Sequence, residues 1–300
     1  MKAARLTAYG DSSKIKIENV AQPSPGAREV LVKVAASGLN HVETYLRQGY
    51  LAQMMPLELP ATLGIDLAGD VAAVGADVTK FKTGDRVTGR LQITGKGSHA
   101  EYAVAAETQL AKLPANVSYE AGATLGLVGL TGRQAVDAAG VKTGDRVLVT
   151  GALGNVGRAA VQYLRELGVI AVAGVQASQL TDAKALGVDA VVATDAPAGS
   201  FDAAVDTVGG DIAAAAIRAV KDGGTVAGVA GFPEGAAGDT RVKVQNVMSG
   251  DNAAMLQQIA DAAGRGELVL PVTKTFPLEQ LGAAYDFLAT RPEGKVIITR

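Results

Sequence analysis

An apolar strand that leads straight into a glycine-rich turn and a helix is the feature that most restricts the fold of this sequence. The strand is predicted at Arg146–Thr150, and the helix that follows covers residues 156–167. Strands and helices then keep alternating, with strands predicted at residues 170–174, 189–192, 203–206 and 225–229 and helices at 180–186 and 212–220. Apolar strands separated by helices form a parallel sheet that is covered on both faces, so this region is predicted to be a doubly wound α/β domain.

The turn itself, GALGNVG over residues 151–157, points to a bound dinucleotide. It has the spacing A-x-G-x-x-G between a strand and a helix, with Ala152 in the place of the usual first glycine. Gly154 would let the backbone approach a pyrophosphate, while Gly157 would let the helix pack closely on the strand. The amides of Asn155 and Val156, at the positive end of the helix, would face the phosphates. The alternative is a doubly wound sheet that binds no nucleotide.

The residues after the second strand of this domain bear on which dinucleotide is bound. Sheets that bind NAD usually carry an acid about 20 residues beyond the turn, where it bonds the ribose hydroxyls. Residues 172–178 contain no acid, and Gln176 and Ser178 offer only neutral hydrogen bonds. Because no carboxylate repels a 2′-phosphate there, NADP(H) is favoured, although the same window also has no Arg or Lys.

Short strands with close turns fill the first third of the chain. They are predicted at residues 14–20, 29–34, 67–74, 86–90 and 100–104 from alternating apolar and polar residues and from turn residues between them. This arrangement favours a barrel or a small sandwich. Two helices, at about 252–263 and 278–288, and a strand at Lys295–Thr299 are predicted in the last part of the chain.

The composition excludes several functions. The chain has 300 residues, no Cys, two His and a formal net charge of −2. Without Cys there is no disulfide scaffold, Cys-ligated zinc, iron–sulfur cluster or thiol nucleophile. A nearly neutral chain lacks the basic surface that nucleic acids need, and no apolar stretch approaches the roughly 20 residues of a membrane helix. A cytoplasmic protein without nucleic-acid or membrane partners is therefore expected.

Six segments carry further patterns, at residues 37–49, 64–69, 81–87, 129–131, 142–147 and 293–297. The first, SGLNHVETYLRQG, is close to G-x-N-x-x-D-x-Y-x-R-x-G, and the second, GIDLAG, is close to G-x-E-x-x-G. Together the six resemble the zinc-free NADPH:quinone oxidoreductase (zeta-crystallin-like) branch of the medium-chain dehydrogenase/reductase superfamily. The resemblance implies a GroES-like β-barrel domain, residues 1–115 with about 266–300, and a Rossmann nucleotide-binding domain with a doubly wound parallel sheet, residues 116–265. It also implies a homodimer.

The same resemblance argues against the zinc-dependent alcohol dehydrogenases. In that branch a catalytic zinc is held by a Cys in the first motif and a His in the second, where this chain has Asn40 and Ile65. An Asn amide is a poor zinc ligand and Ile is none. Without a Lewis acid, oxidation of an alcohol becomes difficult. The chemistry that remains is hydride delivery from a reduced nicotinamide to an activated acceptor, such as a quinone or an α,β-unsaturated carbonyl.

The resemblance assigns Asn40 and Tyr45 to the substrate side. Asn40 would donate its amide to a carbonyl or to the nicotinamide ribose, and Tyr45 would offer its hydroxyl or close the pocket wall. Tyr50 would line the mouth of the pocket. Asn40 could equally cap the helix that follows it, and Arg47 could pair with Glu43 at helical spacing.

Two other residues of these motifs have expected structural roles. Asp66 is shorter than the Glu of the family and is expected to hold a loop donor or an Arg. His99 is expected to be structural. Residues 48–59 and 91–97 are expected to form the pocket walls.

The remaining candidate residues belong to the cofactor side. Thr131 would bond a phosphate or the nicotinamide ribose, as the resemblance implies. Thr207 and Val208 follow a predicted strand and would lie near the adenine or a ribose, and Gly231 follows another strand and would meet the nicotinamide. Ordinary exits from strands into loops are the alternative for both sites.

These observations predict a zinc-independent enzyme that transfers hydride from NADPH to a quinone or an α,β-unsaturated carbonyl. A 2-enoyl or alkenal reductase of the same superfamily is the alternative among enzymes. A nucleotide-binding structural or regulatory protein with little turnover is the alternative from a different class.

Overall fold

The computed structural model describes residues 1–300 and consists of two units. The first unit is formed by Met1–Leu127 together with Asp251–Arg300, and the second is formed by Val128–Gly250. The boundaries predicted from the sequence, at 115/116 and about 265/266, assign more of the chain to the second unit.

Side-chain hydrogen bonds hold the segments between these two sets of boundaries within the first unit. The Thr88 hydroxyl donates to the Gly122 carbonyl at 2.8 Å, and the Asn116 side chain donates to the Gly264 carbonyl at 2.7 Å. Because these bonds join residues far apart in the sequence, no local pattern marks where the boundaries fall.

Strands and helices are labelled in chain order. The strands are β1 (Lys2–Leu6), β2 (Ile15–Asn19), β3 (Glu29–Leu39), β4 (Asp66–Val74), β5 (Arg86–Arg90), β6 (Tyr102–Ala106), β7 (Leu110–Lys112), β8 (Arg146–Thr150), β9 (Ile170–Val175), β10 (Asp189–Val192), β11 (Phe201–Asp206), β12 (Val220–Gly228), β13 (Lys243–Asn246), β14 (Val272–Pro277) and β15 (Lys295–Thr299). The α-helices are α1 (His41–Gln48), α2 (Tyr119–Gly122), α3 (Gly126–Ala139), α4 (Asn155–Glu166), α5 (Leu180–Ala183), α6 (Gly210–Ala219), α7 (Ala253–Gly264) and α8 (Leu281–Ala289). None of the helices is long and apolar enough to span a membrane.

The second unit is a parallel sheet of six strands in the order β10-β9-β8-β11-β12-β13. Numbered along the chain within this unit, the order is 3-2-1-4-5-6, which reverses between β8 and β11. Successive residues of a strand enter different apolar clusters, so Val147 and Val149 pack on one face of the sheet and Leu148 packs on the other. Both faces are therefore covered, and the predicted doubly wound α/β domain is confirmed.

The first unit is built on a seven-stranded sheet in the order β14-β15-β3-β4-β5-β7, in which β6 also pairs with β3. The long strand β3 pairs with β15 through residues 36–39 and with β6 through residues 29–33. A strand from the far end of the sequence thus lies beside a strand from its beginning. One apolar cluster packs around Val32 and Val87, and another around Leu39 and Ile298.

Four strands are absent from the sequence prediction. The strands β7 and β13 are only three and four residues long, and β14 leaves five of its six residues exposed, so none of the three has a run of alternating apolar residues. The strand β1 reads KAARL, a composition that favours helix, and its pairing with β2 overrides that preference.

Candidate active site

Most residues predicted to bind the dinucleotide lie along one edge of the sheet of the second unit, where its parallel strands end. The turn of residues 151–157 follows β8, Ser178 follows β9, and Gly231 follows β12. Thr207 and Val208 follow β11, which neighbours β8 at the reversal of strand order. Doubly wound sheets bind ligands outside this edge, at such a reversal.

The glycine turn after β8 excludes a side chain at one position and admits one at another. At Gly157 a Cβ atom would lie 2.7 Å from Ala152 Cα and closer still to the Gly151 carbonyl oxygen. At Gly154, where φ is −70°, a Cβ atom would have one neighbour within 4 Å, the Gly151 carbonyl oxygen at 3.2 Å. The packing of α4 on β8 therefore requires glycine at 157, whereas at Gly154 a Cβ would meet only this one backbone oxygen.

Asp206 fastens the end of β11 to the end of β8. Its buried carboxylate accepts a hydrogen bond from the Thr150 hydroxyl and another from the Gly209 amide at 2.8 Å. The Thr207 hydroxyl in turn donates to the Thr150 carbonyl at 2.8 Å. Burial raises the pKa of Asp206 above its ordinary value, and the hydrogen bonds act in the opposite direction. This carboxylate fixes the two strand ends that flank the strand-order reversal.

The end of β9 carries no charge. Gln176 and Ser178 are both exposed, and Ser178 lies in the single helical turn Ala177–Gln179. The next acid along the chain is Asp182, within α5. Thr131, the remaining candidate on the cofactor side, is buried within α3.

A group of buried polar side chains is the main feature of the first unit, and we call it the buried polar cluster. Each of its members is at most 5% exposed: Ser37, Asn40, Glu43, Asp66, His99 and Lys295. Two carboxylates and an ammonium group can be buried in this way only if they are paired and hydrogen-bonded.

Asn40 lies at the centre of the buried polar cluster. It occupies the N-cap position of α1, but its side chain makes no capping hydrogen bond. Its Nδ2 instead donates to Glu43 Oε1 and to Asp66 Oδ2, both at 3.0 Å, and its Oδ1 accepts from the Lys295 ammonium. Both amide hydrogens are engaged within the protein, so the unused hydrogen-bonding capacity of Asn40 is one lone pair on Oδ1.

Asp66 binds a cation and a backbone amide, although the cation is not the expected Arg and the amide belongs to a helix instead of a loop. Its Oδ2 accepts from Lys295 Nζ at 3.0 Å, and its Oδ1 accepts from the Leu127 amide at 2.6 Å, in the first turn of α3. Glycine at position 38 makes room for the pair, because a Cβ there would lie 2.9 Å from Lys295 Cε and 3.0 Å from Asp66 Oδ2. Lys295 is a site residue that sequence reasoning missed, and its only signal was its place in the pattern at residues 293–297.

Glu43 and His99 form the other half of the buried polar cluster. His99 Nε2 lies 2.9 Å from Glu43 Oε2, and His99 Nδ1 lies 3.0 Å from Ser37 Oγ. The Tyr285 hydroxyl also donates to Glu43 Oε2 at 3.4 Å, and burial raises the pKa of Tyr285 well above its ordinary value. The expected pairing of Glu43 with Arg47 is wrong, because Glu43 turns into the core while Arg47 donates to a backbone carbonyl and lies over the Tyr285 ring.

A small, partly open cleft adjoins Glu43 in the first unit. Its other walls come from Leu46, from residues 62–65 and from the loop at residues 92–97. The loop at 91–97 therefore contributes a wall as expected, whereas residues 48–59 are not among the lining residues. Apolar and polar side chains contribute to these walls in equal number, with glycines between them.

Tyr45 and Tyr50 do not line this cleft. They are 50% and 74% exposed, and their ring centres lie 6.4 Å apart. The two rings form an open aromatic surface at the end of α1.

The residues at the zinc-ligand positions do not suit a zinc ion. Ile65 has no donor atom, and the side-chain oxygen of Asn40 is already bound by the Lys295 ammonium, whose positive charge would repel a metal ion. The structure contains no group of three or more His, Cys, Asp or Glu side chains that could hold a metal.

Comparisons with known proteins identify two family models that match segments of the chain. The sequence model of the alcohol dehydrogenase GroES-like domain matches residues 26–115, and that of zinc-binding dehydrogenases matches residues 177–298. The quinone oxidoreductase of Pongo abelii is 41% identical over 183 residues, which are 60% of this chain and 54% of that protein. The chain thus spans about half the length of the curated relatives it matches.

Two solved structures resemble the whole chain. An alcohol dehydrogenase superfamily protein from Novosphingobium aromaticivorans has a TM-score of 0.90 and 30% identity, and the match covers 100% of this chain and 99% of that one. The quinone oxidoreductase from Coxiella burnetii has a TM-score of 0.89 and 26% identity, with the same coverage. The chain belongs to the medium-chain dehydrogenase/reductase superfamily. Within it, the similarity lies with the quinone oxidoreductase branch, and the predicted combination of a GroES-like domain and a Rossmann domain is confirmed.

Proposed function

We propose that the chain is a zinc-independent oxidoreductase that transfers hydride from NADPH to a quinone or an α,β-unsaturated carbonyl. The observation that carries the proposal is the glycine turn at the strand-order reversal of the parallel sheet, in a chain of the quinone oxidoreductase branch. Relatives called quinone oxidoreductases make a quinone the first acceptor to test.

The second unit fits a dinucleotide. Gly154 lies at the N-cap of α4, and the backbone amides and positive dipole at the start of a helix attract phosphate oxygens. Bound there, the reduced nicotinamide would supply a hydride to an electron-poor carbon. We keep Thr131, Thr207, Val208 and Gly231 as the residues that meet the riboses, adenine and nicotinamide.

We assign Asn40 and Tyr45 to the acceptor side, with Tyr50 near the mouth. The hydroxyl of the exposed Tyr45 is available to donate to the carbonyl oxygen on which negative charge develops during hydride transfer. Asn40 would meet a ligand through Oδ1, because both of its amide hydrogens are already engaged.

The neutral surface at the end of β9 supports NADPH over NADH. No carboxylate lies there to repel a 2′-phosphate, and Ser178 can donate a hydrogen bond to it. We therefore expect a higher kcat/KM for NADPH than for NADH with the same acceptor.

Steady-state kinetics with both nucleotides and a panel of acceptors test the proposal. Benzoquinone or naphthoquinone turnover with NADPH is the expected result, whereas a strong preference for NADH would contradict the argument from the missing acid. Faster turnover of 2-alkenals or enoyl thioesters would identify an enoyl or alkenal reductase. Nucleotide binding without turnover of any acceptor would identify a structural or regulatory protein.

A Tyr45→Phe variant separates acceptor chemistry from nucleotide binding. We expect kcat with a quinone to fall by about tenfold or more through loss of one donor, with an unchanged Kd for NADPH. Tyr102→Phe, on β6 and outside the proposed site, is the matched control and should leave kcat unchanged.

We also propose that the protein acts as a homodimer in the cytoplasm, with a small-molecule acceptor as its partner. Sedimentation of the purified chain at micromolar concentration tests the dimer. A mass equal to one chain, 30.3 kDa, would contradict it.

A further inference from the structure

A chain of hydrogen bonds runs from Arg300 to Asn40 through the buried polar cluster. Arg300 Nη2 donates to Ser37 Oγ at 3.1 Å, and Ser37 contacts His99, which contacts Glu43, which accepts from Asn40. Ser37, Glu43 and His99 are each 0% exposed. Burying polar side chains to this extent costs free energy unless they are fully hydrogen-bonded. Nonpolar residues of similar volume in their place are often no less stable.

The donors and acceptors along this chain of hydrogen bonds can be assigned from the groups at its two ends. The guanidinium of Arg300 can only donate, so Ser37 Oγ accepts from it, and the hydroxyl hydrogen of Ser37 is then available to His99 Nδ1. On the other side of the ring, a carboxylate oxygen of Glu43 lies 2.9 Å from Nε2 and requires a hydrogen there. In this arrangement His99 Nε2 donates to Glu43 and His99 Nδ1 accepts from Ser37.

Asn40 lies at the other end of this chain of hydrogen bonds, and its side-chain amide has one acceptable orientation. Its Nδ2 faces two carboxylate oxygens, from Glu43 and Asp66, and its Oδ1 faces the Lys295 ammonium. A flipped amide would place oxygen against two carboxylates and an NH2 group against an ammonium. The other oxygen of Glu43 is held by His99 at 2.9 Å and, over a longer distance of 3.4 Å, by the Tyr285 hydroxyl.

We propose that His99, supported by Ser37 and Arg300, is a positioning residue that holds Glu43 and thereby fixes the amide of Asn40. In this orientation Asn40 presents only a hydrogen-bond acceptor, its Oδ1, to a ligand. The ligand group that meets Asn40 is therefore a donor, a hydroxyl or an N–H, and not a carbonyl oxygen. The consequence for turnover rests on the proposed function, whereas the orientation of the side chains does not.

Nuclear magnetic resonance tests the orientation without any turnover. The chain has two His, and His41 is exposed at the start of α1, so ¹⁵N-histidine labelling gives a spectrum with two rings to assign. We expect the His99 ring to carry a proton on Nε2 and none on Nδ1 at neutral pH. A proton on Nδ1 would overturn the proposal. Ser37→Ala, which removes the donor to Nδ1, should shift the Nδ1 resonance and leave that of His41 unchanged.

Paired substitutions of His99 test the positioning role. Glutamine can donate to Glu43 through its NH2 group and accept from Ser37 through its carbonyl, whereas phenylalanine keeps a ring and loses both contacts. We expect His99→Phe to lower kcat by about 10- to 100-fold and His99→Gln to stay within about threefold of the wild type, because small displacements of a ligand contact have effects of this size.

Controls separate positioning from general stability. Gln109→Leu removes other buried hydrogen bonds of the first unit, to Asp251 and to the Ala106 amide, and should leave kcat unchanged in a folded protein. Equal losses in His99→Gln and His99→Phe, or an unchanged kcat in His99→Phe, would overturn the proposal. If His99→Phe fails to fold, Ser37→Ala takes its place and should lower kcat severalfold. A wild-type chain that turns over no acceptor would defeat the proposed function, and the spectrum of His99 would still decide the inference.

Discussion

Single residues carry much of the geometry that this fold needs. In the turn after β8, Gly157 allows α4 to pack on β8, while at Gly154 a Cβ would meet only one backbone oxygen. Asp206, at the end of β11, accepts from Thr150 at the end of β8 through Oδ1 and from the Gly209 amide of the following loop through Oδ2. Neither the packing nor the fastening involves a catalytic step, yet both define the edge at which we propose that the nucleotide binds.

The two glycines should therefore respond differently to alanine. Gly157→Ala is expected to lower the free energy of unfolding by about 1–3 kcal/mol, because the added Cβ would overlap Ala152 and the Gly151 carbonyl. Gly154→Ala should leave it nearly unchanged and weaken the binding of NADPH. Urea unfolding and fluorescence titration measure the two effects. Equal stability losses in the two variants would contradict this difference.

Asp206 should make stability depend on pH. Burial raises its pKa in the folded protein above the ordinary 3.8, so the folded state binds this proton more tightly than the unfolded state does. Its contribution to stability is complete below pH 3.8 and is lost as the pH rises through the raised value. The free energy of unfolding of the wild type, minus that of Asp206→Asn, should therefore fall over this pH range and then become constant. Urea unfolding at several pH values measures it, and a difference that rises with pH would refute the assignment.

Among the secondary-structure elements, β15 has the largest influence on the first unit. It pairs with β3 and β14, packs Ile298 into the core, and delivers Lys295 to Asp66. The residue that follows it, Arg300, donates to Ser37 at the other end of the buried polar cluster. The strand β15 and the residue after it thus supply one cation each to a cluster whose carboxylates come from α1 and β4.

Removing the Lys295 cation should be costly. Lys295→Met leaves the buried carboxylate of Asp66 without a counter-charge, and we expect a loss of about 3–5 kcal/mol in the free energy of unfolding. Lys2→Met is the control, because Lys2 and Glu279 form an ion pair in which each side chain is half exposed. This substitution should cause no measurable change in the free energy of unfolding. The double variant Lys295→Met with Asp66→Asn should recover part of the loss. Similar stabilities for Lys295→Met and Lys2→Met would show that the buried pair is not required.

At the scale of the whole molecule, the chain forms one continuous unit and one discontinuous unit. The second unit, Val128–Gly250, contains every strand of the parallel sheet, and the first unit needs both ends of the sequence to complete its own sheet. A ligand of the second unit should therefore stabilise a contiguous stretch of sequence.

Nucleotide binding should raise the stability of the protein in a predictable way. With NADPH at 100 times its Kd, we expect a gain of about 2.7 kcal/mol by mass action. The accompanying protection from hydrogen exchange should be strongest at the ends of β8 and β11. At the same NADPH concentration, the stability of the Gly154→Ala variant should rise by less than that of the wild type. An unchanged melting temperature of the wild type would contradict nucleotide binding at this edge.

The sequence predicted the two kinds of sheet well and the polar contacts poorly. The strands β5, β8, β10 and β15 have the predicted ends, because apolar runs bounded by turn residues mark them. The edge strand β13 is short and half exposed, so nothing in its residue pattern distinguishes it from a loop. Helical spacing suggested a pair of Glu43 with Arg47, but tertiary packing turned Glu43 toward His99 instead.

The order of apolar strands, helices and glycines along the chain was sufficient by itself to define a doubly wound parallel sheet, since burial periodicity and turn geometry are local properties. The partners of the buried charges were decided only by the tertiary structure. Asp66 and Lys295 are 229 residues apart, and Ser37 and Arg300 are 263 apart. A charge is tolerated in the core only where a distant partner arrives at hydrogen-bonding distance, and the pairing of β15 with β3 brings these partners together.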